Sequence, residues 1–406
     1  MKGNNSRINK IRNRAVILKM IQQNDQITRA EIAKKTGLTR AAITSIVSTM
    51  MNDGLVTEVT DQTDNKKTIP LTINNVKFRT ISLYLGRFSV IGGLFDISGN
   101  LLYSEELFHG ESGLNKYEIL DHLLLLVKNI TKTCQLNIES ILGIGIAGPG
   151  PISQQNIGIS ETGETSELPP YRWGEYNIKS VMEQNLNLPV YLENNCNISA
   201  LGERWYGAGR GFDNFVIYTV GIGIGAGVVL NGEMQSGQKD VFSEVGHITV
   251  DLNGPECSCG NKGCLEIYGG FRSLVDSYYK EMGYGLNEIT DNQYVRNIES
   301  IFKKADEGDL ICQELIRKQA EILSIGAVTL ANMYSPERII ITSNEIGDTD
   351  YSRMIPVIQN LVSKRAFKVI AKNVVVIKSP LGKDVDLYGG AALVLENYLE
   401  KESPGI

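Results

Sequence analysis

The sequence predicts a mixed α/β protein in three parts: a small basic head of helices closed by a β hairpin, followed by two glycine-rich α/β lobes. Three observations predict it. Residues 1 to 80 carry 14 Lys/Arg against 6 Asp/Glu, so in a 406-residue chain of net charge −6 the head holds +8 and the rest −14. Helical periodicity in the head gives way after Thr80 to β-prone runs separated by glycines. The scheme of strand, glycine turn and strand then occurs twice, from Thr80 and again from Asn214. A 42% apolar and 21% charged composition is that of a globular protein, and the length exceeds one ordinary core. No run approaches the roughly 18 apolar residues of a membrane span, and the basic N-terminus lacks the apolar run of a secretory signal. A cytoplasmic protein is expected.

In the head, residues 11 to 23 read as a first helix with Ile17, Met20 and Ile21 on one face. Thr28 and Glu31 have capping-box spacing, so a second helix should begin at Arg29 and end near Gly37. Thr39 can cap a third, with Leu38 and Ile43 placed as a hydrophobic staple. Two short helices joined by a glycine-containing turn are the helix-turn-helix signature. On the third helix Ile43, Ile46, Val47 and Met50 recur at burying intervals, which leaves Arg40, Thr44, Ser45 and Ser48 outward, able to approach base edges in a major groove. Arg29 and Thr39, at the helix starts, complete the expected DNA-facing set. The β-prone runs Leu55 to Thr60 and Thr68 to Ile73 flank DQTDNKK and read as a wing that lays Lys66 and Lys67 over phosphates. Residues 1–78 are thus expected to form a winged helix-turn-helix with operator DNA as partner. A helical bundle for protein contacts is the alternative reading of the same helices.

In the acidic body, TISLYLGRFSVIGGLFDISGNLLYSEEL reads as three antiparallel strands with a turn at Asp96 to Asn100, followed by a helix around Tyr117 to Leu136 and a strand at Ile141 to Ile146. NFVIYTVGIGIGAGVVLNGEM repeats the plan from Asn214, followed by helices and the strand RIIIT. Two similar halves place a ligand cleft between lobes. The expected boundaries are 79–196 for the first lobe, completed by a C-terminal helix at 385–406, and 197–384 for the second. Of six cysteines, Cys257, Cys259 and Cys264 crowd into eight positions. With His247 they give H-x9-C-x-C-x4-C, one imidazole and three thiolates, a closed tetrahedral set suited to structural zinc.

With these motifs the chain resembles the ROK family of repressors and sugar kinases over essentially its whole length. The resemblance rests on GIAGPGP at Gly145 to Pro151, LENNCNISALGE at Leu192 to Glu203, GIGIGAG at Gly221 to Gly227, SEVGHITVD at Ser243 to Asp251 and CSCGNKGCLE at Cys257 to Glu266. It implies a two-lobed actin-like (ribonuclease H-like) body, with a sugar between the lobes held by Gly148, Asn194, Asn195, Glu244, His247 and Glu266. It also gives His247 two roles, one ring nitrogen on zinc and the other toward the ligand. The family's kinases place a catalytic aspartate in an E-N-D-x-N setting, and here that position is Asn195, whose amide cannot take a proton at neutral pH. The phosphate loops depart too: Tyr84-Leu85-Gly86-Arg87-Phe88 replaces D-x-G-G-T, Ile222 replaces a threonine, and Ser343-Asn344 replaces a glycine pair. The wing has Asn65-Lys66-Lys67 and lacks a Gly-Gly-Arg run. The implied protein is a non-enzymatic, sugar-responsive repressor with xylose as first choice of inducer. A two-fold operator implies a homodimer or homotetramer. A repressor regulated by a partner protein and an active sugar kinase are the alternatives.

Overall fold

The computed structural model describes residues 6–24, 26–59, 69–86, 89–108, 116–149, 177–237, 242–285, 291–343 and 349–400. The first helix, α1, spans Ser6–Gln23. It begins before the apolar periodicity does, because a helix nucleated on its amphipathic half extends at little cost per residue. A two-residue strand β1 (Ile27–Thr28) leads into α2 (Arg29–Thr36) and α3 (Arg40–Asp53). The Thr28 hydroxyl accepts from the Glu31 amide, and the Glu31 carboxylate accepts from the Thr28 amide at 2.8 Å, a complete capping box. Gly37 ends α2 at φ +70°, where a Cβ would be strained, and Thr39 caps α3 through the Ala42 amide. Ile43, Ile46, Val47 and Met50 are buried, as their spacing predicts.

Strands β2 (Val56–Glu58) and β3 (Pro70–Ile73) pair antiparallel with Val56 opposite Ile73, and β1 adds to the other edge of β3. A strand of two residues has no period to read, so only the tertiary pairing reveals it. Lys66 and Lys67 lie outside the described residues.

The body contains two five-stranded sheets built on one plan. In the first, β4 (Arg79–Leu85), β5 (Ser89–Asp96), β6 (Leu101–Phe108), β7 (Ile141–Gly148) and β8 (Val190–Asn194) lie in the order β6-β5-β4-β7-β8. In the second, β9 (Phe215–Val220), β10 (Ile224–Leu230), β11 (Glu233–Gln235), β12 (Arg338–Thr342) and β13 (Val375–Lys378) repeat it as β11-β10-β9-β12-β13. Each begins with an antiparallel meander and ends with two parallel strands. Helix α4 (Lys116–Thr133) buries Leu123, Leu126, Val127 and Ile130 against the first sheet, and α5 (Ile178–Leu186) adds Ile178 and Met182 to the same core. On the second sheet lie α7 (Leu265–Gly269), α8 (Phe271–Glu281), α9 (Asp291–Asp306), the long α10 (Leu310–Tyr334) and α11 (Met354–Arg365), with α12 (Lys368–Ala371) beside them.

Two helices tie the parts together. Helix α6 (Asn195–Trp205) follows β8 directly, and α13 (Val385–Glu400) packs on it. They approach backbone to backbone: a Cβ on Gly389 would stand 1.9 Å from the Ile198 carbonyl oxygen, and one on Gly202 2.7 Å from that of Val385. The buried Ser199 hydroxyl also bonds to the Asp386 carboxylate across the pair. Gly389→Ala is therefore expected to destabilise the body by about 1–3 kcal/mol or more, because neither backbone can yield without moving a sheet. Thermal unfolding reads this, and an unchanged Tm would contradict the close crossing.

The head is not an isolated bead. Ile17, Leu18 and Ile21 of α1 share one buried cluster with Leu201 and Trp205 of α6 and with Val394, Leu395 and Leu399 of α13.

Candidate functional site

Of the residues expected at the cleft, Asn194 and Asn195 lie at the helix start on which the β9–β10 segment packs, and Glu266 bonds to the first residue of β10. Gly148 and Asn194 end β7 and β8 in register with each other. Asn194 is the cap of α6: its side-chain oxygen accepts from the Cys196 amide at 2.8 Å, and that of Asn195 accepts from the same amide at 3.0 Å. The glycine turn then packs on this helix start. A Cβ on Gly225 would lie 2.4 Å from Cys196 Sγ, and one on Gly227 2.2 Å from the Cys196 carbonyl oxygen. These glycines therefore have a packing role even without a phosphate to cradle.

From the other lobe, the Glu266 carboxylate accepts from the Ile224 amide at 2.9 Å. Glu244 is open to solvent along one side. Desolvation of the rest raises its carboxyl above the usual range, with His247 opposing the rise and Glu266 adding to it. Glu244 thus lies within electrostatic reach of both His247 and Glu266. Asparagine amides offer donors and glutamates acceptors, a combination able to pair with polyhydroxyl ligands.

The metal loop is compact. One ligand atom from each of His247, Cys257, Cys259 and Cys264 lies within 4.8 Å of every other. Cys259 Sγ and Cys264 Sγ are 3.7 Å apart, and Cys257 Sγ lies 3.6 Å from His247 Nδ1. Tetrahedral bonds of about 2.3 Å give sulfur pairs separated by roughly 3.8 Å, so the donor set fits. Nδ1 faces the sulfurs, which directs Nε2 to the far side of the ring. Burial and the neighbouring Cys259 and Cys257 sulfurs push the Cys264 thiol up to about 12; three thiolates in one loop repel one another, and a bound divalent cation would balance them. Asn261 was not anticipated: its amide donates to Thr249 Oγ1 at 2.9 Å and reaches Cys264 Sγ at 3.5 Å. Its place inside the thiol segment was the available signal. Gly263, at φ +63°, would put a Cβ 1.7 Å from the Asp251 carbonyl oxygen, so only glycine closes the loop.

Among the described positions that depart from kinase phosphate loops, two are filled with large, largely apolar side chains. Tyr84 is buried against Phe95, Ala147 and Ile198, and Ile222 is buried as well. Ser343 is buried, while Arg87, Phe88 and Asn344 lie outside the described residues.

On the head, Thr39, Arg40, Thr44, Ser45 and Ser48 are all exposed on one side of α3. Arg29 has an intramolecular partner. Its guanidinium is half-buried, 2.8 Å from Glu58 and in contact with Met51 Sδ, so it braces α2 against the wing base rather than facing outward.

These features define a class: a DNA-binding head of winged helix-turn-helix type on a two-lobed body of the sugar-kinase fold. The winged helix-turn-helix DNA-binding profile matches residues 13–57, and the ROK family profile matches residues 80–397. The chain belongs to the ROK family. It is 28% identical over 392 residues to the xylose repressor of Bacillus spizizenii, covering 96% of each chain. To the DNA-binding transcriptional dual regulator NagC of Escherichia coli it is 26% identical over 374 residues, covering 91% of this chain and 89% of that one. Among solved structures, a ROK family transcriptional regulator described as a homologue of the E. coli MLC protein superposes with TM-score 0.77 at 25% identity, over 97% of this chain and 98% of that one. A ROK family glucokinase from Streptomyces griseus shares the body fold at TM-score 0.64 and 23% identity, over 78% of this chain and 98% of that one. Among the described residues no helix is long and apolar enough to cross a membrane.

Proposed function

We propose that this protein is a transcriptional repressor in which the kinase-like cleft serves as a sugar receptor and performs no phosphoryl transfer. The observation that carries the reading is Asn195. It opens α6 beside the Gly225 turn, where the family's kinases have their aspartate, and an amide there can bind a hydroxyl but cannot deprotonate it. Buried Tyr84 and Ile222 in the phosphate loops support the same conclusion. The exposed polar face of α3 and the basic head supply the DNA-reading half. Gly148, Asn194, Asn195, Glu244, His247 and Glu266 hold the sugar, and His247, Cys257, Cys259 and Cys264 hold a structural zinc whose geometry orients His247 toward the ligand. Relatives named for xylose put that sugar first among those to test. A homodimer or homotetramer would match a two-fold operator.

The test is operator binding by gel shift with and without D-xylose, D-glucose and N-acetylglucosamine, run alongside an assay for ATP-dependent phosphorylation of the same sugars. The expected result is sugar-dependent release of DNA with no turnover. Sugar phosphorylation above background, or binding of no promoter fragment, would overturn the reading. Arg40→Ala is expected to weaken specific operator binding by about 1–3 kcal/mol with little change on random DNA. Equal losses on both would remove Arg40 from base recognition.

A further inference from the structure

The interface between head and body contains a charged contact that the fold alone does not require. Lys19 of α1 places Nζ 3.4 Å from Glu396 Oε1 of α13 and 4.2 Å from the centroid of the Trp205 ring of α6. The Trp205 indole donates to that same carboxylate oxygen at 2.7 Å, and Arg204 NH1 lies 3.7 Å from it. The Lys19 side chain keeps only 14% exposure, and desolvation pulls its ammonium down to about 8 despite the favourable pull of Glu396. A nearby second contact is made by Gln22, which donates to the Ser98 carbonyl oxygen at 2.7 Å.

The other end of α6 is the cleft. Asn194 and Asn195 open the helix and Trp205 closes it, and its 11 residues span about 16 Å. Close crossing at Gly202 and Gly389, with the Ser199–Asp386 bond, leaves α6 no freedom to shift without α13. Both helices then meet α1 at one carboxylate, that of Glu396.

We propose that α6 and α13 move as one body and report the state of the cleft to the DNA-reading head through the Lys19–Glu396–Trp205 contact. This deepens the reading of the cleft as a sugar site and rests on it for the identity of the signal, though the mechanical coupling itself needs no ligand. A displacement of the Asn194–Cys196 turn, where a ligand would sit, shifts Trp205 and Glu396 beneath Lys19 and re-aims α1, on which α2 and α3 are packed. Coupling of this kind is reciprocal, so a change at Lys19 must be felt at the cleft.

Lys19→Met keeps the length and apolar stem of the side chain and leaves Glu396 with Arg204 and Trp205, so the fold should persist. Cys196, in the first turn of α6 and partly exposed, is the reporter at the far end. Its alkylation rate, followed by mass spectrometry of the peptide in the ligand-free full-length protein, is expected to change at least about threefold in Lys19→Met. The surface control Lys364→Met should leave it unchanged. In the second arm, the factor by which D-xylose, D-glucose or N-acetylglucosamine weakens operator binding should fall toward one in Lys19→Met, while sugar affinity by calorimetry stays within about threefold of the parent. Glu396→Gln, which removes the charge but keeps an acceptor for Trp205, should behave similarly. Parental Cys196 reactivity in both head–body variants would overturn the coupling. If that reactivity changes while no sugar binds the parent protein, the coupling stands and the sugar reading fails.

Discussion

Cys264→Ser is expected to remove the proposed zinc and with it about 10 °C of thermal stability. Cys264 is fully buried, its sulfur is 3.7 Å from that of Cys259, and its amide end opens α7, the helix that carries Glu266. A metal at about a thousand times its dissociation constant stabilises a fold by roughly 4 kcal/mol, and each kcal/mol moves a lobe of this size by roughly 2–4 °C. Loss of one thiolate also removes the charge that balances the divalent ion. Elemental analysis in reductant and scanning calorimetry check this: one zinc per parent chain, well below one in the variant, and a lower transition. A variant with full zinc and an unchanged transition would refute the closed four-ligand site. Because His247 belongs to both the metal set and the proposed cleft, sugar affinity should fall along with the zinc.

Glu266→Ala should weaken sugar binding by about ten- to a hundredfold. The carboxylate's bond to a ligand hydroxyl is worth about 1.5–3 kcal/mol, and removal of the acceptor also strands the Ile224 amide, which lowers the stability of the fold by about 1–3 kcal/mol with or without ligand. That amide lies in the glycine turn packed on Cys196, so the variant also loosens the opposite wall. Calorimetric titration with the three sugars reads the effect, and zinc content serves as the control that the loop has folded. Parental affinity in Glu266→Ala would remove this residue from the site.

The local logic of the head was legible because it is written in adjacent residues. Thr28 and Glu31, Gly37, Thr39 and the Ile43–Ile46–Val47–Met50 stripe each specify a cap, a stop or a face within one or two turns. The thiol cluster was legible for a related reason, since Cys257, Cys259 and Cys264 are close in sequence whatever the fold. Arg29 shows the limit. Its charge and position suited DNA, but Glu58, 29 residues away, sits within 2.8 Å of it and claims the guanidinium.

By itself the sequence determined the order of elements, the doubled strand plan, the grouping of His247 with Cys257, Cys259 and Cys264, and the amide at Asn195 on which the proposed loss of catalysis rests, since all of these depend on residue type and short spacing. Tertiary structure alone decided which partner Arg29 takes, that β1 joins the wing, and that Lys19, Trp205 and Glu396 meet where three helices converge. The physical reason is distance along the chain. Lys19 and Glu396 are separated by 377 residues, and no local pattern can announce a contact whose geometry is set by the packing of two sheets and a glycine-mediated helix crossing.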